Sequence, residues 1–186
     1  MVNRNAGGAN TNKHGLNFES NTDLSASVSR DLTGDYELVP HVFRKEDRLV
    51  KSLKLSVDVF RTDLGQKGSG QARHLVGVIA KKKLFYNVLK ETTGLINSNH
   101  NFWPPDEAFF NFDANTIFIV EKKWQQGNGS VDEKMFGFGN KRRLYQRVVD
   151  QLEMEAKPQI QVAALFNSTW FMHGKTNYQD YFDSLR

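Results

Sequence analysis

The chain contains no cysteine. That absence excludes a disulfide framework, a thiolate zinc site and a cysteine nucleophile together, and it fits a reducing compartment. No stretch reaches the roughly 18 apolar residues of a membrane span. Met1 to Asn12 is rich in Asn and Gly and has no apolar run, so no secretory signal is read there. A cytoplasmic protein is the expectation. None of His14, His41, His74, His100 and His173 has metal-ligand spacing to another or follows a nucleophile motif, and all read as surface or capping residues. Gly65-Gln66-Lys67-Gly68-Ser69-Gly70 lacks the Walker pattern, so no nucleotide cofactor is expected. There is no internal repeat.

What remains is a chain of 186 residues, enough for one domain with a core of its own. Residues 1–11 read as a flexible arm and 12–186 as a single domain. Lys and Arg outnumber Asp and Glu by 25 to 21, giving +4, which permits a polyanionic partner without demanding one. Phe is abundant at 14, so an aromatic core is expected.

Asn10-Thr11-Asn12 predicts the cap of a helix from Lys13 to about Ser29. Tyr36–Phe43, broken by Pro40, reads as an irregular or edge segment. Alternation at Leu53, Leu55, Val57 and Val59 predicts a half-buried strand, and Leu75–Ala80 a strand or helix start. Lys81–Thr92 reads as a helix stopped by Gly94. Ala108–Phe112 and Thr116–Trp124 form a hairpin, the second strand apolar on both faces at Ile117–Val120 and so interior to a sheet. Ser130–Glu133 has the form of a capping box. A helix from Lys141 to Ala156 buries Leu144, Val148 and Leu152, and Ile160–Phe166 alternates as a strand. Asn177–Arg186 closes the chain as a short helix. A crossover from the hairpin through the helix to this last strand makes it parallel to one hairpin member. The expected architecture is α/β, a central mixed sheet flanked by helices.

One stretch carries chemistry. Pro105-Asp106 is followed by Glu121-Lys122-Lys123 at the far end of the hairpin. Side chains alternate between faces along a strand, so Glu121 and Lys123 share one face and Lys122 takes the other. If the turn places Asp113 opposite Thr116, Ala108 faces Glu121 and Asp106 faces Lys123, so Asp106 joins them. A one-residue slip would dissolve the site. Two carboxylates with open water positions suit Mg²⁺, which neutralises a phosphate and acidifies water. Lys123 would orient or deprotonate that water. The bland alternative is an ordinary strand entry at Asp106-Glu107 and a solvated strand end at Glu121-Lys122-Lys123, because so short a pattern arises by chance. Asp113 reads as a turn residue.

The segment PDEAFFNFDANTIFIVEKKWQQGNGSVDEK resembles the catalytic segment of the PD-(D/E)XK nuclease superfamily. More narrowly it is similar to type IIS restriction endonucleases, as are NKHGLNFE and GVIAKKKLFYNVLKE upstream. The resemblance covers roughly residues 12–182. It implies a restriction-endonuclease-like fold and Mg²⁺-dependent hydrolysis of one DNA strand, with Asp106, Glu121 and Lys123 catalytic. It implies metal ligation by Asp106, Glu121 and the Lys122 backbone carbonyl, with Glu19 as the first-helix glutamate. Gln125, Ser130, Glu133 and Lys134 match the family pattern as supports, or Glu133 as a further approach to the ion. Such enzymes are usually longer, with a separate DNA-reading domain. The resemblance therefore implies a heterodimer in which a larger nicking subunit recognises double-stranded DNA.

Lys81-Lys82-Lys83 and Lys141-Arg142-Arg143 are compact basic runs. They read as DNA-phosphate contacts or as solvated helix ends. Trp124, Trp170 and Phe171 read as core or interface, and Asn97–Trp103 and the C-terminal segment as candidate partner surfaces. Two other functions compete: a non-catalytic interaction subunit, and a stand-alone repair or RNA-processing nuclease.

Overall fold

A computed structural model describes residues 6–32, 34–45, 48–51, 56–62, 73–95, 103–125, 137–172 and 177–184. They form an α/β fold around a mixed six-stranded sheet. Helices α1 (Ala6–Asn21) and α2 (Leu24–Asp31) precede strands β1 (Tyr36–Pro40), β2 (Val42–Lys45), β3 (Arg48–Lys51), β4 (Ser56–Thr62) and β5 (Arg73–Lys81). Then come α3 (Leu84–Thr93), the hairpin β6 (Glu107–Asn111) and β7 (Thr116–Lys123), α4 (Phe138–Asp150), β8 (Gln159–Phe166), α5 (Ser168–Phe171) and α6 (Asn177–Ser184). The sheet order is β1-β4-β5-β6-β7-β8, with β2 and β3 in a separate two-stranded sheet. Every pairing in the large sheet is antiparallel except β7 with β8, the product of the α4 crossover. Among the described residues no helix is long and apolar enough to cross a membrane.

Alternation in β5 to β8 turns one face of the sheet towards α3 and α4. Val78, Ala80, Ala108, Phe110, Ile117, Ile119 and Ile160 pack there against Phe85, Val88 and Leu89 of α3 and Tyr145, Val148 and Val149 of α4. Phe85 sits at the centre, its ring 5.3 Å from Phe110 and 5.5 Å from Tyr145. The far half of β8 packs under a second cluster of Phe138, Phe171 and Tyr178, with Phe166 and Phe182 against it. Gly77 lets β6 approach β5: a Cβ there would lie 1.9 Å from the Phe110 carbonyl oxygen.

Several expectations are corrected. The helix expected from Lys13 begins at Ala6, and the long N-terminal helix is two. It breaks at Asp23, whose Oδ1 accepts the Ala26 N–H at 3.0 Å and starts α2, because an Asp side chain competes with continuation and favours a cap. α4 runs from Phe138 and stops at Asp150, and its fully buried residue at the expected position of Leu144 is the neighbouring Tyr145. Residues 52–55 and the capping box at 130–133 lie outside the described residues.

His41 is not a surface histidine. Its Nδ1 lies 2.5 Å from Asp58 Oδ1 and its Nε2 2.9 Å from Glu91 Oε2, joining β4 to α3. The hydrogen bond to Asp58 raises its pKa above the usual imidazole value; burial opposes this, and Glu91 adds to the rise. The protonated ring is thus favoured by folding. Its stabilisation is complete below the unfolded pKa of about 6.5 and is lost as pH rises through the raised folded value. Urea midpoints measured between about pH 6 and 8.5 should therefore fall more steeply in the wild type than in His41→Gln. Equal slopes would contradict the clamp.

Candidate functional site

The hairpin register differs from the expected one by two residues. Asn111 pairs with Thr116 and Glu107 with Val120, because the loop spans Phe112–Asn115. Its shape is set locally. Asn111 Oδ1 accepts the Ala114 N–H at 2.9 Å, and Asn115 takes a left-handed φ of 45°. A shift of two preserves parity, so Asp106 stays on the face of Glu121. It lies just before β6, where its Oδ2 accepts the backbone N–H of Lys122 at 2.8 Å.

The side chains on this face meet in one notch. Lys123 Nζ lies 3.4 Å from Asp106 Oδ2, 3.4 Å from Glu121 Oε2 and 3.0 Å from the Lys122 carbonyl oxygen. One ammonium thus touches the two carboxylates and the carbonyl named as ligands, standing where a cation would be attracted. Lys141, from the first turn of α4, donates to Glu121 Oε2 at 2.6 Å. The Glu121 side chain is 1% exposed. A carboxylate so buried needs cations nearby, yet its Oε1 is buried without a hydrogen-bond partner. That unfilled oxygen, the Asp106 carboxylate and the Lys122 carbonyl make a hard-oxygen donor set of the kind Mg²⁺ takes. Among the described residues no group of three or more His, Asp or Glu side chains gathers round one point. The set is therefore two carboxylates and a carbonyl.

Beneath the notch, Tyr145 lies in the core. Burial, with smaller contributions from Glu121, Tyr86 and Asp106, pushes its phenol far above the ordinary range, so it serves as a neutral donor. Its hydroxyl donates to the Trp103 carbonyl at 2.9 Å, and the Tyr86 hydroxyl, held protonated by burial with its pKa pushed up to about 12, does so at 3.1 Å. Trp103 lies three residues before Asp106, and its carbonyl ties the entry of β6 to both flanking helices.

Glu19 does not join the pair. Its carboxylate meets Lys82 Nζ at 3.3 Å, and its backbone carbonyl accepts Lys122 Nζ at 3.2 Å. Lys122 reaches it because its side chain leaves the opposite face of β7 from Glu121. There it forms a buried pair with Glu107, Nζ to Oε2 at 2.8 Å, with side chains 2% and 4% exposed. Glu107 Oε2 also accepts the Leu24 N–H at 3.0 Å, and Oε1 lies 3.7 Å from Lys81 Nζ. Lys81 bonds Asp23 and Ser25 as well. Burial pushes the Asp23 carboxyl up, but bonds from Lys81, Ser25 and the Ala26 N–H outweigh it and hold it below the usual range. This network pins α1 and α2 to the strand that carries Glu121. Trp124 extends the same contact, its ring 6.0 Å from His14 and 5.7 Å from Phe18.

The basic runs divide. Lys81 and Lys141 are held in these ion pairs, while Lys82, Lys83, Arg142 and Arg143 are exposed. Lys82 stands at the rim, its backbone N–H donating to the Asp106 carbonyl at 3.3 Å. Gln125 is buried, and Asn167 clasps its backbone on both sides: Oδ1 accepts the Gln125 N–H at 2.7 Å, and Nδ2 donates to its carbonyl at 3.0 Å. Ser130, Glu133 and Lys134 lie outside the described residues. Sequence reasoning missed Asn167, Glu107 and the engagement of Lys141 with Glu121. The one available signal was an Asn placed directly after an alternating strand.

Compared with protein-family models, curated proteins and solved structures, the chain matches none. Its own geometry carries the functional argument.

Proposed function

We propose that this chain is an Mg²⁺-dependent DNA endonuclease subunit of the restriction-endonuclease-like PD-(D/E)XK type. On this reading it hydrolyses one strand of a duplex presented by a larger, sequence-reading subunit. The observation that carries the proposal is the convergence of Asp106 Oδ2, Glu121 Oε2 and the Lys122 carbonyl on Lys123 Nζ, beside the unpartnered Glu121 Oε1. Asp106, Glu121 and the Lys122 carbonyl would hold the cation, which when bound offsets phosphate charge and acidifies water.

The chain's own residues do the rest. Lys123 turns from its carboxylates towards the attacked phosphate, where its ammonium orients the water or stabilises the charge that develops. The Lys122 N–H fixes the Asp106 carboxylate, so the donor atoms are held before any ligand arrives. α4 begins at the notch, through Lys141 beside Glu121, and Lys82, two residues before α3, donates its backbone N–H to the Asp106 carbonyl. The N-terminal dipole of α4 and the exposed Lys83, Arg142 and Arg143 favour a polyanion there. One such notch per chain suits cleavage of one strand, with the second cut supplied by the partner.

The test is strand-resolved cleavage of a labelled duplex by the chain with its candidate large subunit. The expected result with Mg²⁺ is a cut in one strand by the large subunit alone and a further cut in the other strand when this chain is added, with no cutting in EDTA. Equal cutting in EDTA would overturn the reading.

A further inference from the structure

Trp103 is 51% exposed as a residue, yet its backbone carbonyl is held at the site. Its carbonyl receives a hydroxyl from each flanking helix, Tyr86 and Tyr145, and Pro104-Pro105 follows it, with Pro105 buried. A large aromatic held in place but left open to solvent has a low entropy cost for binding a flat partner. The ring lines a cleft of about 530 Å³ with Leu144, Asn140, Gly137, Lys123 and Lys141. The lining combines a π face and an apolar wall, an amide able to meet a base edge, and two ammoniums already at the proposed phosphate site.

We propose that Trp103 is a stacking platform for an unpaired DNA base beside the phosphate in the notch, so that the cleft favours duplexes interrupted by an unpaired nucleotide. This rests on the nuclease reading above and names its substrate class. The charge of the lining selects a nucleotide over an apolar peptide, because the phosphate of the same nucleotide meets Lys123 and Lys141. The base must be unpaired: in an intact duplex its faces are covered by its neighbours, and only an extruded or frayed base presents a face to the indole.

The test is equilibrium binding by the full chain, with Ca²⁺ in place of Mg²⁺ to suppress cutting. Two labelled duplexes are compared, identical except for a single-nucleotide bulge. Wild type should prefer the bulged duplex. Trp103→Ala should lose that preference by roughly 5- to 100-fold while binding the paired duplex as wild type does, and Trp103→Phe should keep most of it. The bonds from Tyr86 and Tyr145 reach the backbone carbonyl, so Trp103→Ala should stay folded, and Trp103→Phe controls for the packing that the half-buried residue supplies. Four results would overturn the proposal: an unchanged preference, equal weakening on both duplexes, no measurable DNA binding, or a loss confined to assembly with a protein partner. A Trp103-dependent preference without Mg²⁺-dependent cutting would sink the nuclease reading and keep this one. Cutting with Trp103-independent binding would do the reverse.

Discussion

Glu121→Gln is expected to reduce strand cleavage by at least about 10³-fold, about 4 kcal/mol of transition-state stabilisation, with no loss of stability. The two halves of this expectation have one cause. A carboxylate 1% exposed, with one oxygen unpartnered, is costly to bury. The neutral isostere removes that cost along with the charge that would hold the cation. Lys141 is 26% exposed and can turn to solvent, and Lys123 retains Asp106 and the Lys122 carbonyl. Lys123→Ala should lower cleavage by roughly 10²- to 10⁴-fold, again in a folded chain. Rates measured with the partner subunit, beside urea midpoints, check both. Activity that falls only in step with unfolding would mean that the notch is structural.

Its neighbour should behave in the opposite way. Lys122→Met is expected to destabilise the fold by about 3–5 kcal/mol, because it leaves Glu107 buried without its closest cation. The double variant Lys122→Met, Glu107→Gln should recover much of the loss. The amide oxygen can still accept the Leu24 N–H, and no charge is stranded. Chemical denaturation of the two single variants and the double variant gives the coupling directly. A cost below about 1 kcal/mol for Lys122→Met would place the pair with ordinary surface ion pairs and contradict its role in pinning α1 and α2. Adjacent lysines thus divide between sheet faces, Lys123 serving the notch and Lys122 the packing behind it.

That division was legible in the sequence, because a period of two fixes which residues share a face whatever the register. The register itself was not. The loop from Phe112 to Asn115 depends on an Asn111 side-chain bond and a left-handed Asn115, local choices that many turn sequences share. The site kept its side chains together only because the error was an even number of residues. The parallel β8 followed from the crossover rule, and the edge position of β1 from Pro40. Glu107 was hidden: beside Asp106 it reads as part of a strand entry, and its partners Lys122, Lys81 and Leu24 come from three distant segments. Lys141 was noticed as a charge, but its contact with Glu121 depends on where α4 begins, and helix starts are poorly marked when the first turn carries a Gly. Glu19 matched a family pattern in sequence, yet its carboxylate is occupied by Lys82.

The central claim is that Asp106, Glu121 and the Lys122 carbonyl form a divalent-cation site. Mn²⁺ binding by the purified chain, followed by electron paramagnetic resonance, tests it without substrate or partner. The account predicts saturable binding in the wild type, weakened at least about tenfold in both Asp106→Asn and Glu121→Gln and unchanged in Glu19→Gln. Wild-type protein that leaves the Mn²⁺ free, or variants that bind it equally well, would contradict it.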